Sequence, residues 1–245
     1  MRRSRLDKLM AQNGYTRKEA RALIAQGRVT VDDEPAVSGS VILDLDRQSA
    51  AFDGQTLDTE RHAHIMLNKP FGWLTATKDG REETVLDLID KRHKRPGLAP
   101  AGRLDRDVTG LVLLTTDGQL AHRLISPKWK QDKRYAAEVM GRLKNEDIAR
   151  FERGVVLGDF TALPAKLFII SAGAFSQCRV TLREGKYHQV KRMFEAIGHP
   201  VISLRRESIS SLTLDKTLKP GEYRMLTTYE IAALYASVHL DTGGA

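Results

Sequence analysis

The chain has 245 residues, 41% of them apolar and 29% charged, enough to bury one large core or two modest ones in a soluble protein. Its net charge of +8 suits a polyanionic partner. The lone cysteine, Cys178, rules out an intrachain disulfide and a cysteine metal cluster, and it fits a reducing compartment. No apolar run approaches the roughly 20 residues that span a bilayer, and the basic start (Arg2, Arg3, Arg5) has no apolar region behind it. A cytoplasmic protein with no membrane partner is expected.

The first 60 residues separate their charge. Residues 1–28 hold eight bases against two acids, and residues 29–60 hold one base against eight acids. Leu6, Leu9 and Met10 recur at helical spacing, and Gly14 suits the end of that helix. Thr16 with Glu19 three residues on predicts a capping box, Ala20, Leu23 and Ile24 form the stripe of a second helix, and Gly27 ends it. Arg5, Lys8, Arg17, Lys18, Arg21 and Arg28 are then candidate contacts for a nucleic-acid backbone, although a solvated charged face has the same pattern. Short strands are predicted at Val29–Val31 and Ser40–Leu43, with turns at Asp32–Pro35 and Phe52–Gln55.

The polar stretch 58–64 reads as a linker, which gives a domain at 1–57, a second at 65–240 and a loose tail at 241–245. In the second domain strands are predicted at Ile65–Asn68, Leu111–Thr116, Tyr135–Met140, Leu167–Ser171, Gln177–Leu182 and Val201–Arg205. Helices are predicted at Thr84–Ile89, Gly118–Ile125, Asn145–Gly154 and His188–Ile197. These elements do not alternate as regular βαβ units, so the fold class is α+β with a mixed, largely antiparallel sheet.

Three segments crowd polar groups against apolar strands. Gly102-Arg103-Leu104-Asp105-Arg106-Asp107 lies between two glycines just before a buried strand, where a rigid sheet can carry catalytic groups on a loop. It could equally be a turn whose Asp residues bond their own backbone. Lys133-Arg134-Tyr135 enters a strand with an aromatic ring that could stack on a base, or simply be half buried. Arg183 to Phe194 runs from a strand through Gly185 into an amphipathic helix with Lys191 and Arg192 at its start. Cations there oppose the helix dipole, so a carboxylate or phosphate nearby should compensate. No phosphate-binding glycine loop or serine nucleophile elbow is present, and the seven histidines lack zinc-site spacing, so neither a cofactor nor a metal is expected.

These segments resemble the three motifs of pseudouridine synthases: Gly102-Arg103-Leu104-Asp105, Lys133-Arg134-Tyr135, and Glu184-Gly185-Lys186-Tyr187-His188-Gln189-Val190-Lys191-Arg192-Met193-Phe194. Leu67-Asn68-Lys69-Pro70 with Gly72 is similar to the strand that opens the catalytic domain in that family, and residues 1–60 resemble the S4 RNA-binding domain that precedes it. Gly118 to Arg123 with Ser126-Pro127, and Leu218 to Arg224, resemble the ribosomal small-subunit pseudouridine synthase A branch.

The resemblance implies a cofactor-free isomerase acting on ribosomal RNA, with uridine 516 of the 16S RNA as the branch's target. It implies Asp105 as the ionised carboxylate beside C1′, with attack on the sugar, attack on the base and removal of a ribose proton all open to it. Lys191 is the implied cation that keeps Asp105 charged, Tyr135 the ring that stacks on the target, and Arg103 the side chain that fills the gap left by the extruded base. The basic stretches around Lys128–Arg134 and Arg205–Arg206 are expected to hold the RNA backbone. Asp107 lies outside the motif. A monomer is expected. The same chemistry on the large-subunit 23S RNA, and a non-catalytic rRNA-binding assembly factor, are the rival readings.

Overall fold

The computed structural model describes residues 2–241. The expected tail at 241–245 therefore lies almost wholly outside the described residues. The chain divides into two compact units, one running to Ala63 and including Ile89–Leu98, the other comprising His64–Leu88 and the chain from Ala99 onward.

The first unit contains β1 (Arg3–Arg5), α1 (Leu6–Gln12), α2 (Arg17–Ala25), β2 (Val29–Val31), β3 (Glu34–Pro35), β4 (Ile42–Asp44), β5 (Ala50–Phe52) and β6 (Gln55–Thr56). The capping box at α2 is formed: Thr16 Oγ1 accepts the Glu19 amide at 3.2 Å, and the Glu19 carboxylate accepts the Thr16 amide at 2.7 Å. Leu6, Leu9, Met10, Ala20 and Ile24 turn inward with Val29, Leu43 and Ala50 to make the core. The strands pair antiparallel in the order β3-β2-β5-β6, with β1 on β4.

Two boundaries need correction. Residues 58–64 are not a free linker: the Asp58 amide and carbonyl bond the Asn13 side chain at 2.8 and 2.9 Å, Ala63 is buried, and His64 begins a strand. Ile89–Leu98, expected in the second domain, packs with the first unit as a strap. Its buried Arg95 donates to the Glu60 carbonyl at 2.7 Å and pairs with Asp58. Gly14 lies so close to the strap, at φ +87°, that a Cβ there would stand 2.8 Å from the Lys91 carbonyl oxygen.

The second unit contains β7 (His64–Lys69), β8 (Ala99–Pro100), β9 (Thr109–Thr115), α3 (Gly118–Ile125), β10 (Lys133–Met140), α4 (Asn145–Arg153), β11 (Lys166–Ser171), β12 (Phe175–Leu182), α5 (Gln189–Ala196), β13 (Val201–Ile209), β14 (Leu212–Thr213), β15 (Tyr223–Met225) and α6 (Thr228–Ser237). The sheet order is β11-β12-β10-β13-β9-β7-β15, with β14 on β13 and β8 on β9. Every pairing is antiparallel except β9 with β13, which pair parallel over Thr109–Arg205 and Gly110–Arg206 only. Two antiparallel halves thus meet at one short joint. Gly110 makes the joint possible: at φ +100° a Cβ would fall 2.3 Å from the Arg206 carbonyl oxygen.

The expected helix at Thr84–Ile89 is a turn. Asp87 accepts both the Thr84 amide and hydroxyl, at 2.8 and 2.9 Å, and Val85 donates to Leu74, so these backbone groups are taken and the turn does not propagate. Conversely α6 had no sequence expectation, although Thr227 and Glu230 close a capping box at its start. Arg206, expected to face the RNA backbone, is buried with its Nε donating to the Leu111 carbonyl at 2.8 Å. Lys133 is buried too, and burial pushes its ammonium down to about 8. No helix among the described residues is long and apolar enough to cross a membrane.

Candidate active site and RNA-facing surface

The loop entering β9 is held from both sides. Thr75 Oγ1 accepts the Leu104 amide at 3.2 Å and donates to the Leu104 carbonyl at 2.8 Å. Lys69, at the end of β7, is fully buried and its ammonium donates to the carbonyls of Pro70, Arg106 and Val108 at 3.2, 3.1 and 2.8 Å. Burial pushes that ammonium down to about 8, against the pull of the Asp107 and Asp105 carboxylates. Arg106 points away and bonds the Gly72 carbonyl at 3.0 Å and Glu82 at 2.7 Å. Asp105, in the same loop, lines a cavity.

The strand-to-helix turn after β12 supplies the cations. Buried Glu184 accepts the Leu163 amide at 2.7 Å and the Gln189 side-chain amide, while Gln189 Oε1 accepts the Lys186 amide at 2.9 Å. This knot leads into His188, a left-handed residue at φ 48° that caps α5. His188 Nε2 stands 3.6 Å from Asp105 Oδ1, and Lys191 Nζ stands 3.7 Å from Asp105 Oδ2. The tighter partner of Lys191 is Asp107, at 2.6 and 2.7 Å from its two oxygens. Burial pushes the Asp107 carboxyl up, but the Lys191 ammonium more than offsets it and holds the group below its ordinary 3.8. Arg192 leaves the site altogether to pair with Asp159. The anions expected to balance these cations at the helix start are therefore Asp107 and Asp159.

Asp105, Tyr135 and Lys191 line one cavity of about 670 Å³, with Arg103 and His188 on its wall. Tyr135 is buried on β10, where alternation sends Arg134 to the opposite face to pair with Glu207 at 3.2 Å. Ser126 and Pro127 form another part of the wall. Arg103 is exposed beside Gly102, whose φ of +87° turns the chain at the mouth. A half-buried carboxylate near a cation and a protonatable ring, in one cavity with an aromatic side chain, can stabilise positive charge at a sugar carbon. Sequence reasoning brought together Asp105, Tyr135, Lys191 and Arg103, but missed His188, Lys69 and the Asp107–Lys191 pair. A lysine inside an apolar strand was the available signal for Lys69, whereas the left-handed backbone of His188 shows only in the structure.

The first unit carries a separate basic surface. Lys8, Arg17, Lys18 and Arg21 are exposed on α1 and α2, and Arg5, Lys8, Arg17 and Arg21 line a hollow of about 310 Å³ with Asp7 as its acid. Arg5 is bound to Asp7 at 2.7 Å, and Arg28 is paired with Asp53 and lies 4.9 Å over the Phe52 ring.

Residues 63–196 match the family model for RNA pseudouridylate synthase, and residues 4–46 match the S4 domain. An uncharacterized RNA pseudouridine synthase of Bacillus subtilis is 43% identical, over 94% of this chain and 98% of its own length. Ribosomal small subunit pseudouridine synthase A of Vibrio cholerae is 43% identical over 94% of this chain and 99% of its own length, and that of Escherichia coli is 43% identical over the same shares. A crystal structure of a pseudouridylate synthase aligns with a TM-score of 0.65 at 38% identity, covering 94% of this chain and 98% of the other. With the matched region containing the whole loop–strand–helix constellation around Asp105, the chain belongs to the RNA pseudouridylate synthase family, as an isomerase carrying an N-terminal S4 domain.

Proposed function

We propose that the enzyme isomerises a uridine of small-subunit ribosomal RNA, with uridine 516 as its target. The observation that carries this reading is the near end-to-end match, at 43% identity, to relatives named ribosomal small subunit pseudouridine synthase A. The rRNA, free or in an assembly intermediate, is the partner, and the enzyme works as a cytoplasmic monomer without a small-molecule cofactor.

In the reaction the C1′–N1 bond breaks, the base turns, C5 bonds to C1′, and the proton lost from C5 is balanced by one gained at N1. Asp105 faces C1′ as the charged carboxylate. Its separation from Lys191 and His188, 3.7 and 3.6 Å, supports a cation-supported anion in a poorly solvated pocket. Tyr135 stacks on the target ring from the cavity floor. Arg103 at the mouth takes the place of the base, whose extrusion costs a few kcal/mol. Lys8, Arg17, Lys18 and Arg21, with Arg5 beside them and Arg28 elsewhere on the S4 unit, hold RNA phosphates.

Tritium release from C5-labelled 16S and 23S RNA tests the assignment. Release from 16S RNA alone is expected, and abolished release when uridine 516 is replaced by cytidine. Release confined to 23S RNA overturns the target.

A further inference from the structure

Tyr187 is a large aromatic residue left 75% exposed at the wall of the Asp105 cavity. Its ring stacks on His188, centroids 3.8 Å apart and planes 18° off parallel. His188 in turn reaches to 3.6 Å from Asp105. The face of Tyr187 turned away from His188 is therefore open, at the outer end of a stack that begins at the reacting carboxylate. The backbone holds the pair in place: His188 adopts a left-handed conformation at φ 48°, and the preceding Lys186 is fixed by the Gln189 side chain and lies 3.5 Å over the Phe160 ring.

An extruded uridine leaves each neighbouring base without one of its stacking partners. A flat, exposed protein ring beside the cavity, in a chain of net charge +8, offers a replacement. We propose that Tyr187 is a stacking subsite for the nucleobase next to the target uridine, with His188 as the inner leaf that couples this base to the position of Asp105. The proposal rests on the Asp105 cavity being the uridine pocket. Binding of the neighbour then sets how deep the target sits against Asp105.

The test uses the full chain and a fragment of 16S RNA spanning uridine 516, intact or with an abasic ribose placed on one side of the target or the other. Dissociation constants and single-turnover rates are measured for wild type, Tyr187→Phe and Tyr187→Ala. Tyr187→Ala should weaken binding of intact RNA about tenfold, within the range for one stacked base, and should also lower the saturating rate, because the neighbouring base no longer sets the depth of the target against Asp105. Tyr187→Phe should match wild type. Wild type should lose the same roughly tenfold on one of the two abasic RNAs, and Tyr187→Ala should lose nothing further on it. Equal binding of intact RNA by Tyr187→Ala and wild type overturns the stack, as do losses that add on both abasic RNAs. The wild-type arm needs no variant to fold. Absent turnover of intact RNA by wild type counts against the assigned target instead, because binding still reports the stack.

Discussion

In the first unit Lys8, Arg17, Lys18 and Arg21 stand exposed on two short helices, while in the second Lys191 holds the Asp107 carboxylate beside the cavity and Lys69 is sealed against three carbonyl oxygens. The same residue types serve two physical tasks. Exposed cations are screened and mobile, which suits salt-dependent attraction to a backbone of any sequence. Enclosed cations hold loops and carboxylates in a fixed geometry, which suits chemistry that depends on a single placement. Mutations in the second group should alter rate, and mutations in the first should alter affinity and its salt dependence.

The largest separation is expected at Asp105. Asp105→Asn should lower the single-turnover rate by at least about a thousandfold, roughly 4 kcal/mol of barrier, and leave RNA affinity nearly unchanged. A rate within about tenfold of wild type would remove Asp105 from the reaction. Asp107→Asn is the companion, since it frees Lys191 for Asp105, and its rate should stay within about threefold of wild type.

Lys69→Met comes next. It keeps the stem but drops two bonds to the loop that carries Asp105, and a third to Pro70, so the saturating rate should fall about a hundredfold, the scale of a roughly 1 Å misplacement. RNA binding should not change, and a binding loss equal to the rate loss would contradict a positioning role.

Lys191→Met should cost about tenfold in rate, with Lys191→Arg close to wild type. Stability adds a second readout. Lys191 depresses the Asp107 carboxyl, so the pair stabilises the fold above the ordinary carboxylate value of 3.8 and loses that contribution as pH falls through the lower folded value. The gap in melting temperature between wild type and Lys191→Met should therefore be open at neutral pH and begin to narrow only as pH falls below the ordinary carboxylate value of 3.8. A gap that persists in acid would assign it to packing of the stem.

The smallest effect on chemistry is expected from joint replacement of Lys8, Arg17 and Arg21 by Ala. The slope of log affinity against log salt should shrink by about 2 to 3, near 0.7–0.9 for each phosphate no longer neutralised, with the saturating rate unaltered. An unchanged slope would detach this face from RNA.

The parts legible in sequence were those governed by neighbours in the chain. The Thr16–Glu19 box, the apolar strand at Leu111–Leu114 and the glycines bracketing Asp105 each act over a few residues. Thr227 and Glu230 offer the same kind of signal for α6. What sequence could not carry was set by distant partners. Lys69 resembles a surface base until its carbonyl partners at Arg106 and Val108 arrive from the next strand connection. Arg206 looks like a phosphate ligand, but period-2 alternation and the Gly110 joint turn it inward. The motif pairs Lys191 with Asp105, and only the folded loop brings Asp107 a full ångström closer.

The Ile89–Leu98 strap also orders events during synthesis. When Ala63 leaves the ribosome the first unit still lacks its strap, and Asp58 lacks its partner Arg95. That lag is on the order of seconds at ordinary elongation rates. Throughout it β7 is already made, with both its partners, β9 and β15, still to come. The nascent chain thus passes through a stage in which the RNA-binding module is open at one side and the first catalytic strand is unpaired.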